Sequence, residues 1–175
     1  MKLEGKVAII TGGGTGIGRV TAISLAKEGA KVVVVGRREE KIESAAEEIK
    51  AQGGVAMSIK GDVTSNNNIR TVVQETLERF GKTDILVNNA GYGLTGRFGD
   101  GTMEEWNRVI EINLMGTILF TRAIIDAMIQ QKSGKIINVS SESGRPWDRR
   151  ASSLFSVQRG CNLLYQGLGS RNGSP

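Results

Sequence analysis

The stretch Thr11–Gly18, TGGGTGIG, decides the fold of this chain. It follows an apolar, β-branched run at 6–11 (KVAIIT) that predicts a buried strand, and it opens a predicted helix at 17–28. Glycines between a strand and a helix let the backbone approach a pyrophosphate closely, and the start of the helix offers free N–H groups to that anion. The alternative is a glycine-rich turn that binds nothing. The predicted dinucleotide-binding loop consists of Thr11, Gly12, Gly14, Thr15, Gly16, Ile17 and Gly18.

Outward from this loop, strand-like and helix-like patterns alternate as far as residue 140. Alternation with short connections predicts parallel strands joined by right-handed crossovers. We therefore expect an α/β architecture, a Rossmann-type doubly wound parallel sheet with strand order 3-2-1-4-5, whose ligand site lies where the order reverses. The further strands are predicted at 31–35, 55–60, 84–88 and 135–140, and the further helices at 39–52, from a Thr64 cap to Gly81, at 102–112 and at 113–131. The buried stripe of the third helix is predicted to contain Ile69, Val72, Val73, Leu77 and Phe80.

The end of the second strand distinguishes between the two nicotinamide dinucleotides. NAD-binding sheets usually place an acidic residue about 20 residues beyond the glycine loop, where it holds the ribose 2′-hydroxyl. Here the strand is followed by Gly36-Arg37-Arg38, and guanidinium groups can pair with a 2′-phosphate. NADP(H) is therefore favoured over NAD(H), with Arg37 and Arg38 as phosphate ligands. The alternative is that both arginines are solvated turn residues.

Composition argues against several other kinds of site. The chain of 175 residues has no histidine and one cysteine, so we expect no His-based metal site, no Ser-His-Asp triad and no internal disulfide. The net charge of +5 comes mainly from residues 145–175, where five arginines accompany one aspartate, whereas residues 1–144 are nearly neutral, so no nucleic-acid partner is expected. No signal peptide and no membrane span are expected, which favours the cytoplasm.

The spacing of several short motifs resembles that of the short-chain dehydrogenase/reductase family. The glycine loop reads T-G-x-x-x-G-x-G and not the more common G-x-G-x-x-G. The resemblance covers roughly residues 1–144 and is strongest to the bacterial subgroup with 3-oxoacyl-carrier-protein reductases and glucose 1-dehydrogenase-like enzymes. Because that scaffold serves many substrates, the substrate itself cannot be named. The other matching motifs are Gly61-Asp62-Val63, Asn88-Asn89-Ala90-Gly91, Ile112-Asn113-Leu114 and Asn138-Val139-Ser140-Ser141.

The resemblance implies a role for each matched residue. Asp62 would accept a hydrogen bond from the adenine amino group, and Val63 would line the adenine pocket. The segment Asn89-Ala90-Gly91 would lie near the nicotinamide ribose. Asn113 would anchor a water in a proton relay, and Ser141 would bind the substrate carbonyl or hydroxyl. Without the family pattern, Asn113 is more simply a helix cap and Ser141 a strand-end serine. The resemblance also implies hydride transfer to or from a small carbonyl or alcohol substrate, in homo-oligomers.

The chain departs from the family where the proton donor is expected. The family's general acid/base is a tyrosine, with a lysine one helical turn later, but these positions hold Leu154 and Gln158. Read one nucleotide later, with permitted codons, the segment from Leu154 gives YSASKGAVISFTKALAVEMAP, which is similar to the family's catalytic helix. We therefore hypothesise a single-nucleotide insertion or deletion near residues 145–148. The chain as written would then bind cofactor at most and would not turn over substrate.

The resemblance and its interruption predict that the chain consists of two segments. Residues 1–144 form the NADP(H)-binding domain, and residues 145–175 form an aberrant tail that lacks the family pattern. The family's strands 6 and 7 would then be missing from the sheet, which would leave the fifth strand as an apolar edge. We expect the chain to be marginally stable and impaired in assembly as a consequence.

Overall fold

The apolar runs of the sequence form one parallel sheet of five strands in the computed structural model, which describes residues 1–94 and 100–140. The order of the strands is β3-β2-β1-β4-β5, which confirms the predicted doubly wound arrangement. The strands are β1 (Val7–Thr11), β2 (Lys31–Gly36), β3 (Val55–Lys60), β4 (Ile85–Asn88) and β5 (Lys135–Asn138). The helices are α1 (Gly16–Lys27), α2 (Glu39–Ala51), α3 (Asn66–Phe80), α4 (Met103–Ile110) and α5 (Gly116–Gln130), with a π-helical turn at Glu111–Met115 between the last two.

The core consists of two layers, one on each face of the sheet. Successive side chains of a strand point to opposite faces, so a continuous apolar run supplies both layers. Ala8 and Ile10 of β1 pack towards α1 and α2, whereas Ile9 of the same strand packs towards α3 and α5. All five residues of β1 are buried, as expected for the central strand of such a sheet. This burial fixes the position at which β1 ends, and therefore the position of the glycine loop.

The reversal of strand order lies beside β1. This strand pairs in parallel with β2 on one side and with β4 on the other. Thr11 is in register with Val35, and the neighbouring Ile10 is in register with Val87. The carboxyl ends of the three strands are therefore level at one edge of the sheet. Ligands of doubly wound sheets bind at such an edge.

Two expectations for α3 were wrong in detail. The helix is capped by Ser65, whose Oγ accepts from the N–H of Asn68 at 3.4 Å, and not by Thr64. Thr64 instead turns back, and its N–H and hydroxyl both donate to Asp62 Oδ1 at 3.0 and 2.9 Å. Leu77, predicted in the buried stripe, is 37% exposed. Thr76 takes the buried position, because its hydroxyl can donate to the backbone oxygen of Val72 at 2.6 Å.

The predicted break between two helices at residues 112 and 113 is absent. The helix runs without interruption over Met103–Gln130, with a mean hydropathy of 1.5 in its most apolar window. By length and composition it is the one helix in the described residues that could cross a membrane, so the sequence expectation that none approaches a span was too strong. Core helices of soluble proteins pass the same test, and Phe120, Ile124 and Met128 pack here against the sheet.

A buried carboxylate joins β1 to β4 at the opposite edge of the sheet. Asp84, 7% exposed, accepts from the N–H of Val7 at 2.9 Å and pairs with Lys6 and Lys82 at 3.2 and 3.1 Å. Burial alone would raise the pKa of Asp84, but the hydrogen bond from Val7 and the two ammonium groups together lower its pKa below the ordinary value. The Asp84 carboxylate therefore links β1 to the start of β4, the two strands between which the strand order reverses.

We expect Asp84→Asn to lower the free energy of unfolding by about 1–3 kcal/mol, since an amide loses the charge-assisted bonds. A folded-state pKa below the unfolded one stabilises the fold above the unfolded pKa of about 4 and loses that contribution as the pH falls through the folded value. Urea unfolding from pH 7 to pH 2.5 measures both effects. Asp126→Asn, which removes an exposed ion pair with Arg122, is the matched control and should change little. Equal losses for both variants would contradict the assignment.

Candidate functional site

The carboxyl ends of β1 and β4 are joined by a reciprocal set of hydrogen bonds. The hydroxyl of Thr11 accepts from the N–H groups of Asn89 and Ala90, both at 3.0 Å, and donates to the backbone oxygen of Val87 at 3.3 Å. In return, the side-chain amide of Asn89 donates to the backbone oxygens of Thr11 and Gly12 at 3.0 and 3.3 Å. The end of β4 is thus held against the start of the glycine loop.

The glycine loop has the close approaches that only glycine permits. A Cβ on Gly18 would overlap the side-chain amide of Asn89 and the backbone oxygen of Gly12. Gly12 and Gly16 have φ values of +64° and +53°, in the left-handed region that favours glycine. The loop leads directly into α1, whose first turn contains no acidic residue. The positive end of this helix therefore faces the loop without a competing carboxylate.

A cleft of about 610 Å³ opens between this loop and the ends of β2, β3 and β4. Its volume is that of a typical small-molecule site. Ten of the predicted cofactor residues line it: Gly12, Gly14, Thr15, Arg37, Arg38, Asp62, Val63, Asn89, Ala90 and Gly91. The remaining four predicted residues, Thr11, Gly16, Ile17 and Gly18, are not among the lining residues. Six lining residues were missed: Val35, Gly36, Lys41, Ile42, Gly61 and Ile112.

The four predicted residues outside the lining differ in their surroundings. Thr11 is 1% exposed and acts through the bonds to Asn89 and Ala90. Gly18 is buried against the loop, and Gly16 faces open space, since nothing lies within 4 Å of a Cβ built on it. Ile17 projects outward and is 67% exposed. The glycine motif therefore contains both residues that shape the loop and residues that face the cleft.

Three cations lie along one wall of the cleft. Arg37 and Arg38 follow β2, and Lys41 lies in the first turn of α2. Arg38 Nη2 donates to Thr15 Oγ1 at 3.2 Å, and Arg37 Nη1 lies 4.0 Å from Asp62 Oδ2. The sequence signal that would have found Lys41 is its spacing from Arg38, three positions on, which places both on one side of a helix start. The wall has the charge that a phosphate-bearing ligand requires.

The residues therefore fit a dinucleotide in three respects. The glycines let a pyrophosphate approach the backbone closely, where side chains would not fit. The first turn of α1 has no acidic residue to compete with that anion, and the cationic wall lies beside the end of β2. Asp62 and Val63 line the cleft beyond the end of β3, next to Arg37. Asp62 is held rigidly, since its own N–H donates to Asn68 Oδ1 at 3.0 Å while its Oδ1 accepts from Thr64.

Asn113 lies in the π-helical turn and is hydrogen-bonded to the loop after β4. Its side chain accepts from the N–H of Tyr92 and donates to the backbone oxygen of Tyr92, both at 2.8 Å. Arg108 of α4 stands over the Tyr92 ring, 4.6 Å from its centroid. Asn113 is 5% exposed and does not line the cleft. Asn113, predicted to anchor a water in a proton relay, therefore has its side-chain amide bound to the backbone of Tyr92 and shapes the loop after β4.

Part of the predicted substrate site lies beyond the residues described. The side-chain amide of Asn88 donates to Asn138 Oδ1 at 2.9 Å, and the N–H of Val139 donates to the backbone oxygen of Asn88 at 2.9 Å, so the end of β5 is fixed beside the end of β4. Ser141, Leu154 and Gln158 follow this point and are outside the described residues, as is the whole segment 145–175. Within residues 1–94 and 100–140, no cluster of three acidic, cysteine or histidine side chains is arranged to hold a metal.

Comparison with known proteins agrees with this geometry. Residues 6–152 match the family model described as short chain dehydrogenase. An uncharacterised oxidoreductase of Staphylococcus saprophyticus is 36% identical over 170 residues, which are 96% of this chain and 72% of that protein. A metagenomic short-chain oxidoreductase in complex with NADP is 36% identical, with a TM-score of 0.90 over 96% of this chain and 76% of that one. NAD⁺-bound xylitol dehydrogenase is 32% identical, with a TM-score of 0.89 over 96% and 65%.

Thr11→Val should lower the free energy of unfolding by about 1–3 kcal/mol and weaken cofactor binding, because two N–H groups lose their acceptor at unchanged side-chain volume. Thermal melts and nucleotide titrations measure the two effects, and Thr11→Ser should restore both. Thr71→Val removes an exposed hydroxyl on α3 that donates to its own helix at 3.1 Å, and it should change stability by less than about 0.5 kcal/mol. A Thr11→Val protein that behaves like the Thr71→Val control would contradict the bonding described.

Proposed function

Because the chain belongs to the short-chain dehydrogenase family, we propose that its strand-end cleft binds a nicotinamide dinucleotide, and NADP(H) in preference to NAD(H). The observation that carries the preference is the cationic wall of Arg37, Arg38 and Lys41 beside the end of β2, where NAD sites usually hold an acid. The relatives do not decide between the two, since one was solved with NADP and another with NAD⁺. The preference therefore rests on the charges of this cleft.

The proposed reaction is hydride transfer between the cofactor and a small carbonyl or alcohol. When bound, the dinucleotide supplies or accepts the hydride. Asn113 holds the loop around Tyr92 through both backbone groups, and we propose that it also anchors a water for proton transfer. Ser141, which follows the end of β5, would orient the substrate oxygen by a hydrogen bond. Asp62 and Val63 would hold the adenine, and Asn89-Ala90-Gly91 would flank the nicotinamide ribose.

A second proposal concerns the chain as written, and it is the one we favour for this sequence. With Leu154 and Gln158 at the positions of the family's tyrosine and lysine, neither side chain can donate a proton to a substrate oxygen. The chain would bind cofactor without turning over substrate. We attribute this to a single-nucleotide shift near residues 145–148, which would make 145–175 an aberrant tail behind a cofactor-binding domain at 1–144. The gene sequence at codons 154 and 158 tests the shift directly.

Partners and location follow from the same assignment. The substrate would be a small carbonyl or alcohol, in the range of the 3-oxoacyl-carrier-protein reductase and glucose 1-dehydrogenase-like subgroup. Neither a nucleic acid nor a membrane is proposed as a partner, and the cytoplasm is the proposed location. Relatives of this type are expected to form homo-oligomers, and we propose that the altered tail impairs assembly here.

We expect this chain to bind NADPH without consuming it in the presence of a panel of ketones and aldehydes. The frame-restored chain should both bind NADPH and oxidise it, because it regains the tyrosine and lysine. Fluorescence titration measures binding, and absorbance at the reduced-nicotinamide band measures turnover. The frame-restored chain with phenylalanine in place of its regained tyrosine is the matched control and should bind without turnover. NADPH oxidation by the chain as written would overturn the second proposal, and absence of binding in both chains would overturn the first.

A further inference from the structure

Tyr92, in the loop after β4, is held both by its backbone and by its ring. Asn113, in the π-helical turn, accepts from the N–H of Tyr92 and donates to its backbone oxygen, both at 2.8 Å. Arg108, on α4, places its guanidinium over the Tyr92 ring, 4.6 Å from the ring centroid. Tyr92 also packs against the apolar layer that contains Phe120 and Ile124. One helix therefore holds this residue at two independent points.

Arg108 projects from a helix whose backbone is well anchored. Thr102 and Glu105 form a reciprocal capping box at the start of α4. The N–H of Glu105 donates to Thr102 Oγ1 at 3.2 Å, and the N–H of Thr102 donates to Glu105 Oε2 at 2.9 Å. Val109, next to Arg108, is fully buried. Arg108 itself is exposed, but the helix that carries it is held in place independently of the loop after β4.

The loop residue that faces the cleft lies between two fixed neighbours. Ala90 is held by the bond from its N–H to Thr11 Oγ1 at 3.0 Å, and Tyr92 is held from the helix. Gly91 lies between them, is exposed and lines the cleft. Two hydrogen bonds to the backbone of one residue still allow rotation about the line through the two bonded atoms. The contact on the Tyr92 ring restrains that rotation and therefore the position of Gly91.

We propose that Arg108 is a positioning residue for the nicotinamide half of the cofactor: through the Tyr92 ring it holds the segment Asn89–Gly91 in place for the nicotinamide ribose. This inference rests on the proposed function, because it assigns a role beside the same cleft. A loop that is already held in its bound position costs less free energy to order when the ligand arrives. The adenine half, proposed to bind at Asp62 and Val63, should not depend on this contact.

Arg108 has a second set of neighbours, which predicts a different role. It lines a polar hollow of about 660 Å³ together with Arg37 and Asp62, which line the cofactor cleft as well. A direct contact between Arg108 and the ligand would therefore be made at the adenine end. Arg108 is not among the residues that line the cleft, and its guanidinium is engaged with Tyr92. The geometry favours action through the ring, and the two roles predict losses for different halves of the ligand.

The test compares binding of the whole dinucleotide with binding of a half that lacks the nicotinamide and its ribose. Isothermal titration calorimetry gives the dissociation constants of NADPH and of adenosine 2′,5′-bisphosphate for the unmodified chain, Arg108→Ala, Tyr92→Leu and the double variant. Arg108→Ala should weaken NADPH binding about threefold to tenfold, the range of a cation–π contact, and should leave bisphosphate binding unchanged within about twofold. The double variant should bind NADPH no more weakly than Tyr92→Leu, because Arg108 acts through the ring.

Three further variants are controls. Tyr92→Phe keeps the ring and Arg108→Lys keeps the cation, so both should bind NADPH more tightly than Arg108→Ala does. Lys31→Ala removes another contact between a cation and a ring, 5.6 Å from the Phe80 centroid and away from the cleft, and should change neither constant. Circular dichroism melts of each variant separate weaker binding from lost folding.

An equal loss for NADPH and for the bisphosphate in Arg108→Ala would indicate direct contact at the adenine end and would overturn the proposal. So would a further loss when Arg108→Ala is added to Tyr92→Leu, or an Arg108→Ala protein that binds NADPH as tightly as the unmodified chain. These outcomes leave the proposed function standing, since the unmodified chain still binds NADPH. Failure of the unmodified chain to bind NADPH would overturn the proposed function and this inference together.

Discussion

The cleft depends on the reciprocal bonding between Thr11 and the segment that follows β4. A threonine hydroxyl at the end of a buried strand has no water available, so it must find its partners within the protein. Thr11 finds them in Val87, Asn89 and Ala90, and Asn89 returns a bond to the loop. These bonds hold the ends of β1 and β4 together at the point where the strand order reverses. The glycine loop and the loop after β4 are thereby fixed beside each other, and the cleft opens between them and the ends of β2 and β3.

Charged side chains determine which ligands the cleft can bind. The start of α1 and the cations that follow β2 and begin α2 supply positive potential, and the carboxylate of Asp62 lies beside Arg37, 4.0 Å from its Nη1. Thr64 and Asn68 orient Asp62, and Thr15 orients Arg38. Two charged groups of the cleft, Asp62 and Arg38, are therefore directed by small polar neighbours. Such preorganisation reduces what binding must spend on ordering side chains.

The sheet and the position of the site could be predicted because apolar runs and glycines constrain the backbone locally. Strand order followed from the alternation of strands and helices, and ten cleft residues followed from motifs at strand ends. What the sequence did not reveal depends on contacts between distant segments. Thr11, predicted as a cofactor residue, is buried and bonded to the segment after β4. Lys41 belongs to the cleft because the glycine loop packs on the first turn of α2.

The smaller errors in the predicted helix ends arise where a side chain can take either of two roles. Thr64 and Ser65 are both good helix caps, and the choice of Ser65 followed from Asp62 capturing Thr64. The helix at 103–130 was expected to break at Asn113, because asparagine favours helix ends. A π-helical turn absorbs Asn113 instead and directs its side chain to the backbone of Tyr92. Such turns are frequent at functional sites.

Hydrogen exchange of the chain with and without NADPH tests the central claim most directly, because it locates binding without requiring turnover. Bound NADPH should slow exchange at the glycine loop, at 36–42, at 61–63 and at 89–91, which are four segments that line the cleft. Backbone amides along the groove between α3 and α5, which is lined by residues such as Val73 and Leu119, should exchange at the same rate with and without NADPH. Protection confined to that groove, or no protection at any of the four segments at saturating NADPH, would contradict the account.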